Sequence, residues 1–417
     1  MNDLSHEYEN GFRIGQYRVD TVMHPTDLRA LKPDWDALFD QDPDAGVFLS
    51  YDWLESGLLA NPNRWRIFVV RDKTGVPVCI FPTKQRVHWS KTYSQFQTEI
   101  EAAGRLAWGE YTGFICRMDQ EEGALKVLAQ ALEGYPWKSL SLRYEPTLRR
   151  SRIFAEAFGE AFSHQFRPYR INKGEIDNLV SLKVPIEAGF ENVLASRVSS
   201  NTRQKIRRYR RKLLETGTYR ITTASSETVE RDIAGLLRNW VDQWSTQKGT
   251  DKALEIADRY GRALLTADST DSLYLPALWQ GDKMLGALGH VVDKKQGCVN
   301  FLVAGRNSKA TDPAIGLLLH AHAIEWAADA GYRAYNFGHG DQSYKLSFGP
   351  EKTRSHYLNV RRAGDKSVLD IVSLRPALQR LANFAQEGKA DRIKPSAEQL
   401  ASLLDPQSLH QVPRIAN

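Results

Sequence analysis

Twelve residues, His339 to Pro350 (HGDQSYKLSFGP), place an acid, a phenol and an amine within five positions: Asp341, Tyr344 and Lys345. These side chains could take a proton from a nucleophile, return one to a leaving group and hold an anionic group in place. They follow YRAYNFG, an apolar run that reads as a buried strand, so they would stand at a strand end. On spacing alone the stretch is equally an ordinary polar loop.

Other segments carry chemistry of their own. In TDPAIGLLLHAHAIEWA, a helix opens around Gly316 after the strand-like CVNFLVAG. The first N–H groups of a helix lack internal partners and suit a pyrophosphate, and a glycine lets such a ligand come close. The alternative is a packing glycine in a helix that is apolar nearly all round. In NTRQKIRRYRRKLLETG, seven of the ten residues from Arg203 to Lys212 are Lys or Arg. Helical spacing puts Ile206, Tyr209 and Leu213 on one stripe and Arg203, Arg207 and Arg210 on another face, either solvated or turned to a phosphate, a polyanionic glycan or RNA. His290, in LGALGHVV, is a strand residue, either a core histidine or a base. Glu110 and Tyr111, in WGEYTGF, are an acid and a phenol in a loop. His320 and His322, two apart on a helix, do not have metal-ligand spacing, and no metal is expected. No Gly-x-Ser-x-Gly elbow, Walker loop or Cys-x-x-Cys pair occurs.

The elements that must position these residues read as a repeated order. The first half gives a helix over DLRALKPDWDALFDQ, another over VFLSYDWLESGLLA, a hairpin about Lys73–Gly75, a helix over EEGALKVLAQALEGYPW and a strand over KSLSLRY. The second half gives a helix over SETVERDIAGLLRNWVDQWSTQKG with Trp240 and Trp244 on one face. Three strands over SLYLPALWQGDKMLGALGHVVDKKQGCVNFLVAG follow, then a helix between Pro313 and Gly331, then RAYNFG. Each half thus reads helix, hairpin, helix, strand.

The 417 residues suit two or three domains, and 42% hydrophobic with 25% charged content suits a full core. No long uncharged apolar run suggests a membrane span, and MNDLSHEYEN lacks a secretory pattern, so a cytoplasmic protein without stable membrane insertion is expected. A net charge of +6 suits a phosphate-bearing ligand without requiring nucleic acid. Cys79, Cys116 and Cys298 are far apart in sequence and odd in number, which argues against a disulfide framework; Cys79 and Cys298 read as small core residues.

Three segments together resemble the GNAT-type acyltransferases of the CelD/BcsL group, which is associated with cellulose and exopolysaccharide synthesis. They are FENVLASRVSSNTRQKIRRYRRKLLETG, LYLPALWQGDKMLGALGHVV and DPAIGLLLHAHAIEWAADAGYRAYNFGHGDQSYKLSFGP. The residues that carry the likeness are Asn201, Thr202, Arg203, Pro313, Gly316, Gly340, Asp341, Tyr344 and Lys345, and the similarity extends over about residues 30–355. The architecture is similar to the tandem-GNAT FemABX peptidyltransferases, without an inserted coiled-coil arm. Many relatives read Asp-Phe-Leu-Arg-Gly-Asp where this chain has Asn336 to Asp341, and the pyrophosphate loop survives only as Asp312 to Leu318.

The resemblance implies an α/β (α+β) chain of two tandem GNAT-like domains, each a mixed central sheet flanked by helices. Residues 1–175 would form the acceptor side without CoA, 176–366 the acyl-CoA side, and 367–417 a helical tail. It implies an N- or O-acyltransferase using acetyl-CoA or a longer acyl-CoA on a small-molecule or saccharide-type acceptor. Ala314, Ile315, Gly316, Leu317 and Leu318, with Val303 on the preceding strand, would hold the donor. Asp341 would be the base or orient a water or the nucleophile, Tyr344 the acid, Lys345 an anchor for a substrate carboxylate or phosphate or a partner that keeps Asp341 ionised, and His290 a second base. Arg203, Arg207, Trp244, His339, Glu110 and Tyr111, with Trp53, would contact the acceptor. An aminoacyl-tRNA-dependent ligase of Fem type and a non-catalytic scaffold are the alternatives. Partners to expect are acyl-CoA, an acceptor the sequence does not name, tRNA as a less favoured donor, and a second copy of the chain.

Overall fold

The computed structural model describes residues 12–90, 95–310, 314–364 and 368. The helical tail expected over 367–417 lies outside the described residues, apart from Val368. The chain forms two compact units. The first takes the described parts of 1–106, 111–168 and 355–417, and the second takes 107–110 and 169–354.

In the first unit β1 (Phe12–Ile14), β2 (Tyr17–Val22), α1 (Pro25–Ala30), α2 (Lys32–Gln41) and α3 (Tyr51–Leu59) lead into β3 (Trp65–Arg71) and β4 (Pro77–Ser90). β5 (Gln95–Ala102), β6 (Ile115–Cys116), α4 (Glu121–Glu133), β7 (Ser139–Glu145), α5 (Leu148–Glu156) and β8 (Phe162–Phe166) follow. The single helix expected over Asp27–Gln41 is two, because Pro33 is tolerated only in the first turn of α2 and cannot sit inside a helix. α3 starts at Ser50, whose hydroxyl accepts the Trp53 N–H at 3.3 Å. The β3–β4 turn is at the expected Lys73–Gly75, with Asp72 N–H bonded to the Val76 carbonyl at 2.9 Å.

The second unit contains β9 (Arg170–Ile171), β10 (Ile176–Asp177), β11 (Val180–Pro185), α6 (Phe190–Ser196), α7 (Ser200–Tyr209), β12 (Tyr219–Thr223), α8 (Val229–Lys248) and α9 (Thr250–Ser269). It continues with β13 (Leu273–Tyr274), β14 (Pro276–Gln280), β15 (Lys283–Asp293), β16 (Cys298–Arg306), α10 (Ile315–Asp329), β17 (Ala334–His339) and β18 (Glu351–Arg354). α9 is an element the sequence reading does not contain. The chain then returns to the first unit as β19 (His356–Arg362).

Both units are mixed sheets flanked by helices. The first runs β1-β2-β3-β4-β5-β7-β19-β8, with β6 against β4. The second runs β12-β14-β15-β16-β17-β11-β18, with β13 against β15. In each, a helix joins two adjacent parallel strands: α4 leads from β5 and β6 to β7, and α10 leads from β16 to β17. β19, which the sequence reading puts with residues 176–366, pairs instead with β7 and β8 in the first sheet.

The first core packs α4 against Phe68, Val70, Phe81, Leu140 and Leu142. Beside it Arg150, fully buried, bonds Asp42 (2.7 and 2.8 Å) and Glu121 (2.7 Å). All three cysteines are buried, and strand pairing brings Cys79 opposite Cys116 with sulfurs 3.2 Å apart, a closeness the sequence does not reveal. The second core packs α10 against Leu278, Leu288, Val299, Tyr335 and Phe337.

Candidate active site

The parallel pairing of β16 with β17 covers three registers, Cys298–Ala334, Val299–Tyr335 and Asn300–Asn336, and then stops. β16 nevertheless continues to Arg306, paired with β15 on its other edge with one register shift at Leu302. Among the described residues no strand lies beside Phe301–Gly305 on the β17 side. A buried amide chain makes this parting stable. Asn336 Nδ2 donates to Asn300 Oδ1 (2.9 Å), Asn300 Nδ2 donates to the Val291 carbonyl (3.3 Å), and the Gly338 N–H donates to Asn336 Oδ1 (3.0 Å). A side chain thus satisfies a buried N–H that the strand ladder no longer reaches. Gly338 turns with φ +71°, and a Cβ there would lie 3.1 Å from the Phe301 carbonyl oxygen.

α10 starts at the end of this region. Its first internal bond is Leu318 N–H to the Ala314 carbonyl (2.9 Å), and no side chain caps its start. The N–H groups of Ile315, Gly316 and Leu317 precede that bond and have no intrahelical partner. Gly316 is exposed, with open space where a Cβ would be; Leu317 is half-buried, and Ala314, Ile315 and Leu318 are buried. Val303 turns its side chain to Gly289, so only its backbone is available at the free edge. Pro313 and Asp312 lie outside the described residues.

The segment after β17 is a 3-10 turn over Ser343–Phe348. Tyr344 is half-exposed, its ring 6.2 Å from that of His320, and loss of hydration pushes its phenol up to about 12, so it is protonated at neutral pH. Asp341 accepts the Asp177 N–H at 3.1 Å. Lys345 is turned onto the backbone. Its amine is buried and donates to the carbonyls of His339 (2.8 Å) and Gly340 (3.0 Å), which clamps the turn. Burial pulls its pKa down to about 8, against the opposing pull of Glu110 and Asp341.

His290 is likewise corrected: it is a core residue. Nδ1 donates to the Tyr274 carbonyl (3.0 Å), and Nε2 accepts from the Tyr335 hydroxyl (2.8 Å). Burial lowers its pKa to about 3, so it stays neutral and has no nitrogen left for a nucleophile. The same Tyr335 hydroxyl meets His320 Nδ1 at 2.8 Å, and His320 is also held neutral by burial. The chain His320–Tyr335–His290 escapes a reading based on metal spacing, because only the fold brings its members together.

The acceptor residues separate. Glu110 and His339 meet, with His339 Nδ1 2.9 Å from Glu110 Oε2. Tyr111 belongs to the first unit and lies 6.2 Å from Phe48; Trp53 is fully buried in that unit's core against Phe48. Trp244 joins a row of rings with Trp240 (6.2 Å), Tyr260 (5.7 Å from Trp240) and Trp108 (5.5 Å from Tyr260). Tyr260 comes from the unanticipated α9, and Trp108 stands two residues before Glu110.

Arg203 caps α6 through Nη1, which donates to the carbonyls of Leu194 (2.9 Å) and Ala195 (3.2 Å). Arg207 pairs with Glu191 at the surface (3.2 Å). Ile206 is buried and Tyr209 packs on the core as the stripe requires. The outer face of α7 forms a shallow hollow of about 350 Å³ lined by Asn201, Gln204, Lys205, Arg207, Arg208 and Arg211. Among the described residues no group of His, Cys, Asp and Glu is placed to hold a metal ion, and no helix is long and apolar enough to cross a membrane.

The chain is similar in fold to the C-terminal (DUF2156) domain of a lysylphosphatidylglycerol synthetase from Agrobacterium fabrum, at 12% identity and a TM-score of 0.50, over 87% of this chain and 98% of that one. It is also similar to FemX (12% identity, TM-score 0.46, 84% and 98% covered) and to a tandem GNAT protein from the clavulanic acid biosynthesis pathway (11%, 0.43, 83% and 99%). No curated protein matches the chain. Residues 200–346, the span that holds the strand parting, the open helix start and the Asp341–Lys345 turn, match the acetyltransferase (GNAT) domain family, so the second unit carries a GNAT-superfamily acetyltransferase domain.

Proposed function

We propose that the second unit transfers an acyl group from acetyl-CoA or a longer acyl-CoA to an amine or hydroxyl of a small-molecule or saccharide-type acceptor. The observation that carries this is the coincidence of a strand edge at Phe301–Gly305, with no strand beside it among the described residues, with an uncapped helix start at Gly316. An extended ligand bearing amides can pair with the first, and a pyrophosphate can accept from the N–H groups of the second. Tyr344, protonated and half-exposed beyond β17, is the acid for the leaving thiolate. Asp341 holds the backbone of Asp177 and orients the nucleophile's approach, and Lys345 keeps the turn in place. Trp244, partly buried and with the Lys248 ammonium over its ring, offers an aromatic contact to the acceptor. The likeness to the CelD/BcsL group favours a cytoplasmic role in cell-envelope or exopolysaccharide metabolism.

Titration calorimetry with acetyl-CoA and longer acyl-CoA donors tests the reading. Binding should be measurable and should weaken at least about tenfold in Gly316→Trp, whose side chain fills the approach to the helix start. The absence of binding by any donor refutes it.

A second reading, an aminoacyl-tRNA donor, is favoured by the basic hollow on α7. It requires RNA affinity that falls steeply with salt, because each phosphate contact releases counterions.

A further inference from the structure

We infer that Glu110 is the general base of this site and that His339 positions it; the inference rests on the acyl-transfer reading. Glu110 is far in sequence from the rest of the domain, yet residues 107–110 belong to the second unit. Its carboxylate arrives where β16 and β17 part. Oε2 lies 3.7 Å from where a Cβ on Gly338 would be, and that same point is 3.1 Å from the carbonyl oxygen of Phe301, the first residue of β16 beyond the last paired register. Gly338, at φ +71°, therefore lets the chain pass close to the Phe301 carbonyl, with the carboxylate at ordinary contact distance from the same point. The backbone that delivers Glu110 is itself constrained: Trp108 stands at φ +60°, a conformation uncommon for a bulky residue.

The surroundings suit a base. Glu110 is 22% exposed, open enough to receive a proton, whereas its partner His339 is 3% exposed and fixed by burial. His339 Nδ1–H donates to Oε2 at 2.9 Å, which selects the tautomer and aims the carboxylate. Charges near it include the Lys345 ammonium, held by the carbonyls of His339 and Gly340, which also senses Asp341 on the same turn.

The step balances. The acceptor nitrogen or oxygen forms a bond to the thioester carbonyl carbon while Glu110 takes its proton. The carbon–sulfur bond then breaks, and the thiolate takes a proton from Tyr344. Solvent carries the proton held on Glu110 back to Tyr344, leaving an acylated acceptor and a free thiol.

The test uses the full chain with acetyl-CoA, and water, primary amines and amino sugars as acceptors, reading free thiol with a chromogenic disulfide and donor affinity by calorimetry. Glu110→Gln should lower thiol release about 10²–10⁴-fold with the dissociation constant for acetyl-CoA unchanged within about threefold. Glu110→Asp should recover part of the rate. The native enzyme should show a rising acid limb in its pH–rate profile, displaced in His339→Gln. That profile is read on the native protein, so it stands even where a variant fails to fold. An undiminished rate in Glu110→Gln, loss of acetyl-CoA binding together with rate, or a native profile without the acid limb overturns the assignment. So does a native protein that binds acetyl-CoA and releases no thiol, which leaves the donor site intact. A native protein that binds no acyl-CoA removes the acyl-transfer reading and this inference with it.

Discussion

The buried pair His290 and His320 makes the stability of the second unit depend on pH in a direction that can be worked out. His290 stays neutral in the folded chain down to about pH 3, because burial opposes its charging and both nitrogens are already bonded. In the unfolded chain it titrates near 6.5. Below 6.5 the unfolded state binds a proton that the folded state refuses, so stability falls as pH falls. Between pH 7 and pH 5 this one group removes about 2 kcal/mol of stability. His320 acts in the same direction. Glu145, in the first unit, acts oppositely: burial raises it to about 8, so its contribution to stability increases as pH falls from about 8 toward 4.5. Native protein alone would therefore mix two signs. The comparison of native with His290→Gln cancels everything common to both. Urea unfolding followed by tryptophan fluorescence at pH 7 and pH 5 should show the native protein losing about 2 kcal/mol more than the variant over this interval. Equal losses would mean that His290 is not held neutral by its surroundings.

Two further outcomes are expected. Tyr344→Phe should keep acyl-CoA affinity within about threefold and lower thiol release about 10²-fold, and unchanged turnover would remove Tyr344 as the acid. Arg150→Met should destabilise the first unit by about 3–5 kcal/mol in urea unfolding, because buried Asp42 would lose the cation that pairs with it and Glu121 would retain only Arg149; a loss below about 1 kcal/mol would refute that accounting.

Much of the fold was legible because it is local. Alternating apolar runs and turn residues give β3–β4 and β14–β16, and an apolar helix closed by Gly331 gives α10. α9 escaped because its buried stripe is Ala253, Ala257, Gly261, Ala263, Leu264 and Ala267, mostly residues too small to mark a hydrophobic face. β19 escaped because strand pairing across more than two hundred residues leaves no local trace. The site was legible in residue type and less so in direction. Lys345 and His290 are the groups that chemistry would choose, but the fold turns the first onto backbone carbonyls and seals the second in the core. Glu110 and His339 were each visible as polar loop residues, and nothing short of the fold joins them.

The repeat of helix, hairpin, helix and strand raises the question of which unit can take the donor, and the two helix starts answer differently. α4 and α10 hold equivalent places, each leading to the second of two parallel strands. The first turn of α4 carries Glu121 and Glu122, and Glu121 is tied to Arg150 in the core. Carboxylates there already occupy the favourable end of the helix dipole and repel a pyrophosphate. The first turn of α10 carries no acid and presents Gly316 to open space. The strands differ in the same sense. β5 ends at Ala102, one residue beyond its last register with β7, whereas β16 runs on past Asn300, and among the described residues no strand lies beside Phe301–Gly305 on the β17 side. Beside β7 the space is filled, since a Cβ on Gly113 would fall 1.6 Å from Glu145 Oε2. The asparagine chain that satisfies Gly338 at the parting of β16 and β17 is therefore what allows the second sheet to open where the first is closed, and it favours the second unit as the donor side.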